Sequence, residues 1–199
     1  MSSLRERIER LERDLLADPP RISAYHDLPF TIFRYDPSDE FPARKECLRL
    51  ATRLQNARRR VHFISLGEIL WKAIRETEGI AAIAKEERKL GFDRAQRTVS
   101  TLLSDKDFTE LPVELVKRME GFDPAVDCAF LVRAGALAPA IYRCAKLLDE
   151  LHGRTMVPVV LFYPGTTDAP EGEGATSLRF MGMEERQGAG TYNYRVKIY

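Results

Sequence analysis

Polar and small residues follow the ends of the predicted strands, where a parallel sheet commonly binds its ligand. Hydrophobic segments at 30–35, 61–66, 126–132 and 157–162 are short and rich in bulky side chains, which predicts four strands. Ligands bind beyond the carboxyl ends of the strands in an open parallel sheet. The candidate ligand or partner residues at these positions are Tyr35, Asp36, Glu40, Ser65, Arg133, Gly135, Tyr163 and Gly165.

Three of these candidates carry charge: Asp36, Glu40 and Arg133. Together they could hold a cation or bind a polar ligand. Alternatively, Arg133 pairs with one of the two carboxylates and only neutralises charge at the edge of the sheet. The sequence leaves both interpretations open.

No complete catalytic or cofactor-binding motif occurs in the chain. It contains no P-loop, no Rossmann glycine fingerprint and no Gly-x-Ser-x-Gly nucleophile motif. Three cysteines and three histidines lack the paired spacing of a metal site. We therefore predict no catalytic residue, metal or cofactor, and we favour a binding function over an enzymatic one.

The predicted strands require a particular fold. A single helix, expected to begin at Pro139 and to end before Gly153, joins the segments 126–132 and 157–162. Two strands joined in this way lie parallel with a right-handed crossover. The sequence thus predicts an α/β fold with a mostly parallel sheet of about five or six strands and helices on both faces.

The length of 199 residues suits one α/β domain. Within it we predict an N-terminal amphipathic helix at 1–18, a helical insertion at 67–120 and a mobile acidic loop at 166–176. Residues 178–181 predict an edge strand and residues 192–199 a final strand.

The N-terminal helix has a capping box, formed by Ser3 and Glu6, and an apolar face. That face either folds onto the domain or pairs with a partner chain, because two heptads alone are marginally stable. Its apolar residues, at heptad spacing, are Leu4, Ile8, Leu11 and Leu15.

Charge and hydropathy exclude some classes of protein. Thirty-one basic and thirty acidic residues give a net charge of +1, so no overall field favours nucleic acid. The triplet Arg58, Arg59 and Arg60 either complements the dipole of the preceding helix or binds phosphate. The basic stretch at 85–97 belongs either to a solvated helical insertion or to a second DNA-binding candidate. No apolar segment approaches the roughly 20 residues of a membrane span.

The N-terminal segment lacks the apolar core of a secretory signal, which predicts a cytoplasmic protein. The cysteines Cys47, Cys128 and Cys144 are odd in number and widely spaced. This pattern favours reduced thiols over a disulfide framework.

With these motifs in order, the chain resembles the BrxB family of bacterial BREX phage-defence systems. The similarity extends from about residue 30 to the C-terminus and is weakest at 79–109. It adds Arg44 and Arg143 to the candidate residues. The matching residues are 35–37 with Glu40 and Arg44; 64–66; 135–139 with Arg143, Leu147 and Leu148; 151–152; 159–165; and 193–195.

The resemblance implies an adaptor or scaffold in a multiprotein apparatus that works beside PglZ, the ATPase BrxC and an adenine methyltransferase. The family supplies no catalytic residue to carry over. The alternative is a nucleotide- or metal-dependent enzyme or sensor that uses the carboxyl-end edge of the sheet. Direct DNA contact is a third hypothesis.

Overall fold

The computed structural model describes residues 3–22, 28–139, 141–167, 177–182, 192–193 and 196–199. The strands are β1 (Phe30–Tyr35), β2 (Arg60–Ser65), β3 (Asp127–Val132), β4 (Val159–Thr166), β5 (Ser177–Phe180), β6 (Tyr192–Asn193) and β7 (Lys197–Ile198). The α-helices are α1 (Leu4–Leu16), α2 (Glu40–Asn56), α3 (Leu66–Glu76), α4 (Ile80–Leu90), α5 (Phe92–Ser104), α6 (Leu111–Arg118) and α7 (Cys144–Leu151). Two 3-10 helices span Pro37–Asp39 and Ala134–Leu137.

Five parallel strands form the centre of the sheet in the order β2-β3-β4-β1-β7. The strands β5 and β6 extend it from the end of β4 by antiparallel pairing. Because β2 and β3, and then β3 and β4, are joined through helices, their parallel pairing requires crossover connections. This arrangement confirms the predicted mostly parallel α/β fold.

Helices cover both faces of the sheet, as predicted. Residues of α1 and α2 pack on one face with Phe33, Phe130 and Phe162. The helices α3, α5, α6 and α7 pack on the other face with Ile32, Leu131 and other strand residues. The alternation of side chains along each strand accounts for this division, because consecutive residues point to opposite faces.

The N-terminal helix packs against the domain. Ser3 accepts a hydrogen bond from the Glu6 amide at 3.2 Å, and the Glu6 carboxylate accepts one from the Ser3 amide, so the capping box is complete. Ile8, Leu11 and Leu15 are 0 to 2% exposed within the apolar cluster of α2, and Leu4 packs at its edge. The hypothesis that this apolar face binds a partner helix is therefore wrong, because the domain core already occupies it.

Two predicted boundaries around the third crossover are also wrong. The helix does not begin at Pro139: an isolated turn joins the Ile141 amide to the Leu137 carbonyl at 3.0 Å, and α7 begins only at Cys144. The peptide bond between Ala138 and Pro139 is cis. Strand β4 continues through residues 163–166, which we had predicted to be the turn that leaves the sheet, because β1 and then β5 pair with this segment.

Candidate functional site

The predicted ligand edge contains a crevice, formed where the chain leaves β1 and β3 in opposite directions. After β1 the chain enters α2 on one face of the sheet, and after β3 it enters the 3-10 helix and α7 on the other face. Strand β4 lies between β1 and β3, so the two exits diverge over its end. This divergence is the topological switch point at which open α/β sheets bind ligands.

The crevice consists of two cavities of about 260 Å³ and about 290 Å³. We call these two cavities together the rim crevice. Glu40 and Arg133 line both cavities and thus mark their boundary. Most of the other residues that line the two cavities are apolar, which is common in small-molecule sites.

Glu40 is held at the start of α2 by two neighbours. The Tyr35 hydroxyl donates a hydrogen bond to its carboxylate at 2.5 Å, and the Arg44 guanidinium lies 3.6 Å from the second carboxylate oxygen. Burial, reinforced by the Glu40 carboxylate, raises the pKa of Tyr35 far above its usual range. Tyr35 therefore remains a neutral hydrogen-bond donor at physiological pH.

Asp36 forms the turn that leads from β1 into α2. Its carboxylate accepts hydrogen bonds from the Ser38 amide at 2.9 Å and the Ser38 hydroxyl at 2.7 Å. These bonds hold the pKa of Asp36 below its usual range. Asp36 lines neither cavity, so the structure gives it a local structural role.

Arg133 lies directly after β3 in the left-handed region, with φ of 59°. Its guanidinium is 3.8 Å from the carboxylate of Glu68, and both side chains are more than half exposed. The alternative that Arg133 pairs with Asp36 or Glu40 is therefore wrong. Ser65 caps the adjacent helix α3 by accepting a hydrogen bond from the Glu68 amide at 3.2 Å.

The structure brings most of the predicted edge residues together. Tyr35, Glu40, Arg44, Ser65 and Arg133 line the first cavity, and Gly135 lines the second with Glu40 and Arg133.

Besides Asp36, three more predicted candidates lie outside both cavities. Tyr163 and Gly165 belong to β4 itself, and Tyr163 is buried against Phe180 with ring centroids 5.3 Å apart. A Cβ atom on Gly165 would lie 2.4 Å from the Arg179 carbonyl oxygen, so packing explains this glycine. Arg143 precedes α7 outside both cavities.

The apolar half of the crevice was not predicted from the sequence. Leu48, Phe63, Val132 and Phe162 line the first cavity, together with Cys47. Phe63 is 43% exposed because it lies on the edge strand β2, and Leu48 is 55% exposed. The i, i+4, i+8 spacing of Glu40, Arg44 and Leu48 on α2 was the available signal, since it places all three on one helical face.

The arginine triplet lies at the opposite, amino end of the strands. Arg58 is exposed with φ of 66°, and Arg59 donates hydrogen bonds to the carbonyls of Ala125 at 2.7 Å and Ala17 at 3.4 Å. The Arg60 guanidinium forms a bidentate salt bridge with the Asp127 carboxylate, with N···O distances of 2.6 and 2.7 Å. Two of the three predicted nucleic-acid candidates therefore have partners within the protein.

The three cysteines are free and buried. Burial raises the pKa of each thiol, to about 12 for Cys128 and Cys144. Although Cys47 lines the crevice, it is only 3% exposed, so it is not placed to act as a nucleophile.

Two kinds of feature are absent from the described part of the chain. No group of three or more His, Cys, Asp or Glu side chains is arranged to hold a metal ion there. No helix in those residues is both long and apolar enough to cross a bilayer.

A model of the family described as BREX protein BrxB matches residues 62–198. The chain belongs to the BrxB family. It is also similar to a BREX protein BrxB of Bacillus cereus (strain H3081.97), with 28% identity over 151 residues that cover 73% of this chain and 75% of the relative. No solved structure matches the chain.

Membership of the BrxB family supports involvement in a BREX phage-defence system, and it confirms the resemblance inferred from the motifs. The matched residues include the Phe63 and Arg133 side of the rim crevice. Tyr35, Glu40 and Arg44 precede the matched segment.

Proposed function

We propose that this BrxB-family protein is a non-catalytic adaptor or scaffold subunit of a BREX complex. Its expected partners are other BREX proteins: a PglZ-like protein, the ATPase BrxC and the adenine methyltransferase. Family membership supports the defence context. The observation that carries the adaptor role is an exposed apolar surface on the helical insertion.

This surface belongs to the hairpin of α4 and α5. None of the residues of α4 is buried, and three large apolar side chains of the hairpin are about half exposed or more: Ile80 at 51%, Leu90 at 65% and Phe92 at 55%. We call these three residues the hairpin surface. Exposed single apolar residues are ordinary. Leu90 and Phe92 differ because they lie two residues apart at one bend, and grouped exposed apolar residues mark interaction sites.

The hairpin is anchored to the domain and does not depend on a partner for its position. Val99, Leu102 and Leu103 of α5 are buried in the core. Arg94 of α5 lies 3.2 Å from the Glu86 carboxylate of α4, which connects the two helices. A partner would therefore meet a preformed surface, so little ordering entropy opposes binding.

Gly91 defines the bend between the two helices, with φ of 87°. A positive φ at this position lets α4 end and α5 begin without an intervening loop. Leu90 and Phe92 flank this glycine and are the most exposed members of the hairpin surface. They are the side chains that a partner would bury most readily, and an aromatic anchor is typical of interface hot spots.

Co-purification of the tagged protein with the other BREX components tests this function. We expect the double variant Leu90→Glu/Phe92→Glu to lose bound partner by tenfold or more, because two apolar anchors are replaced by charge. Its melting temperature should equal that of the parent, since both side chains are already exposed.

Met156→Glu is the matched control, because Met156 is 60% exposed but lies outside the hairpin. It should co-purify with the same proteins as the parent. Equal recovery of every partner by the double variant and the parent would contradict the proposed contact surface.

A further inference from the structure

The rim crevice has the features of a binding site that the adaptor role does not use. It lies at the switch point between the exits of β1 and β3, and it combines an apolar wall with convergent polar groups. Its two cavities, of about 260 and 290 Å³, adjoin at Glu40 and Arg133. Together they have room for an organic molecule of moderate size.

The apolar wall offers an exposed aromatic ring. Phe63 is 43% exposed, and its buried side meets Phe130 edge-on with ring centroids 5.7 Å apart. Leu48 faces the same cavity from α2 and is 55% exposed. A flat ring lying between them would remove apolar surface of both side chains from water.

Two arginines provide the positive charges of the crevice, and the carboxylates of Glu40 and Glu68 line the same cavity beside them. Arg44 and Arg133 both line the first cavity, from opposite sides of the switch point. Their contacts with Glu40 and Glu68 are long, at 3.6 and 3.8 Å, and the paired side chains are 37 to 66% exposed. Such exposed ion pairs contribute little, and each guanidinium has five N–H donors, so an anion could bind without breaking strong contacts.

The first turn of α3 adds to this electrostatic preference. It begins at Leu66, directly after Ser65, which lines the first cavity. The amino end of an eleven-residue helix carries a partial positive charge. An anion between the two arginines would therefore also lie near this helix end.

We infer that the rim crevice binds a small organic anion whose flat ring packs on Phe63 and Leu48 and whose anionic group reaches Arg44 and Arg133. A nucleotide and an aromatic carboxylate share this chemistry. The inference is independent of the adaptor role, because the hairpin surface lies on different elements, α4 and α5.

Titration calorimetry of the full chain with three probes tests the inference. The probes are AMP, naphthoate and inorganic phosphate, each to millimolar concentration and without added metal. Saturable binding of AMP or naphthoate, tighter than that of phosphate, is the expected result, and the tighter of the two identifies the source of the anion. Absence of saturable binding for both ring-bearing probes, or equal affinity for phosphate, would overturn the inference.

Substitutions then locate the bound probe. Arg44→Gln and Arg133→Gln should each weaken binding about tenfold, because each removes a charge-assisted hydrogen bond. The matched control is Arg49→Gln, which removes an exposed, ion-paired arginine of α2 outside both cavities and should leave the affinity unchanged.

Melting temperatures without probe identify any variant that is misfolded. If both crevice variants fold and bind as tightly as the parent, the site lies elsewhere and the inference is wrong. Partner co-purification by the same variants should be unaffected, which separates failure of this site from failure of the adaptor role.

Discussion

The two ends of the parallel strands use the same residue types for different purposes. At the amino end, the Asp127 carboxylate is nearly buried and accepts hydrogen bonds from Arg60, His62 and the Asp123 amide. At the carboxyl end, the Glu68 carboxylate is largely exposed and lies 3.8 Å from the Arg133 guanidinium. A carboxylate whose acceptors are all occupied stabilises the fold, whereas one with a loose partner leaves its arginine available to a ligand.

The amino-end cluster connects two strands that are far apart in sequence. Arg60 begins β2 and lies opposite Asp127, the first residue of β3, in the parallel register. The His62 ring packs against Phe122 with centroids 3.9 Å apart while its Nε2 lies 2.8 Å from the carboxylate. Because an ionised carboxylate can only accept hydrogen bonds, Nε2 is the donor, and the Asp127 side chain, 3% exposed, is not accessible to a ligand.

The largest expected effect of a substitution is at Asp127. Asp127→Asn should lower the free energy of unfolding by about 3 kcal/mol, because it removes the charge of a nearly buried carboxylate that accepts hydrogen bonds from Arg60, His62 and the Asp123 amide. This loss is at the lower end of the range for breaking a buried ion pair, because the Arg60 side chain is 62% exposed and can be solvated by water. Urea denaturation measures the change.

Asp36→Asn at the carboxyl end is the matched control. It alters only an exposed turn, so its effect should be about 1 kcal/mol or less. Equal losses for the two variants would remove the distinction between the ends.

The next largest effect is on the pH dependence of stability. Burial alone would raise the pKa of Asp127, but the hydrogen bonds from Arg60, His62 and the Asp123 amide outweigh it and lower the pKa from 3.8 to about 2. Because the pKa of Asp127 is lower in the folded than in the unfolded protein, the ionised carboxylate stabilises the fold. This stabilisation is complete above the unfolded-state pKa, and it is lost as the pH falls through the folded-state pKa. The lost contribution is about 2 kcal/mol.

The free energy of unfolding, measured from pH 5 to pH 2 for the parent and for Asp127→Asn, checks this value. The difference between the two proteins should shrink by about 2 kcal/mol over that interval. A difference that stays constant would show that Asp127 does not titrate in the folded protein as its hydrogen bonds require.

A smaller effect is expected at His62. His62→Ala should lower the free energy of unfolding by about 1.5 kcal/mol, through the lost hydrogen bond and the lost packing on Phe122. His62→Phe keeps the ring and should recover about 0.5 kcal/mol of that loss. Thermal and urea unfolding of both variants separate the two contributions, and identical losses would assign all of the effect to the hydrogen bond.

The smallest effect is expected at the carboxyl end. Glu68→Gln should change the free energy of unfolding by no more than about 0.5 kcal/mol, because the contact with Arg133 is 3.8 Å long and solvent-exposed. Urea denaturation of Glu68→Gln and Asp127→Asn under the same conditions compares the two losses of stability. A loss above 1 kcal/mol would show that the rim crevice also holds the fold together.

The sequence predicted the sheet because each central strand carries its own local signal. Strand β1 has the predicted bounds, and β3 differs by one residue, since short apolar segments that are buried on both faces need no knowledge of their neighbours. The start of the crossover helix was wrongly predicted at Pro139 because proline is common in the first turn of a helix. The buried side chains of Leu137 and Tyr142 instead fit an irregular segment before α7.

The candidate site was only half predictable for a related reason. The rule that strand ends converge identified Tyr35, Glu40 and Arg133 without coordinates. The exposure of Phe63 depends on β2 lying at the edge of the sheet, a long-range property of strand order that no local pattern contains. Whether the apolar face of α1 packs on the domain or on a partner also depends on long-range structure, because the heptad pattern is the same in both cases.

Phage plating on cells that carry the intact defence system tests the central claim most directly, namely that this protein acts through an exposed contact surface. With protein abundance equalised by immunoblot, we predict that Leu90→Glu/Phe92→Glu abolishes protection while Met156→Glu retains it. Full protection by the double variant would contradict the account.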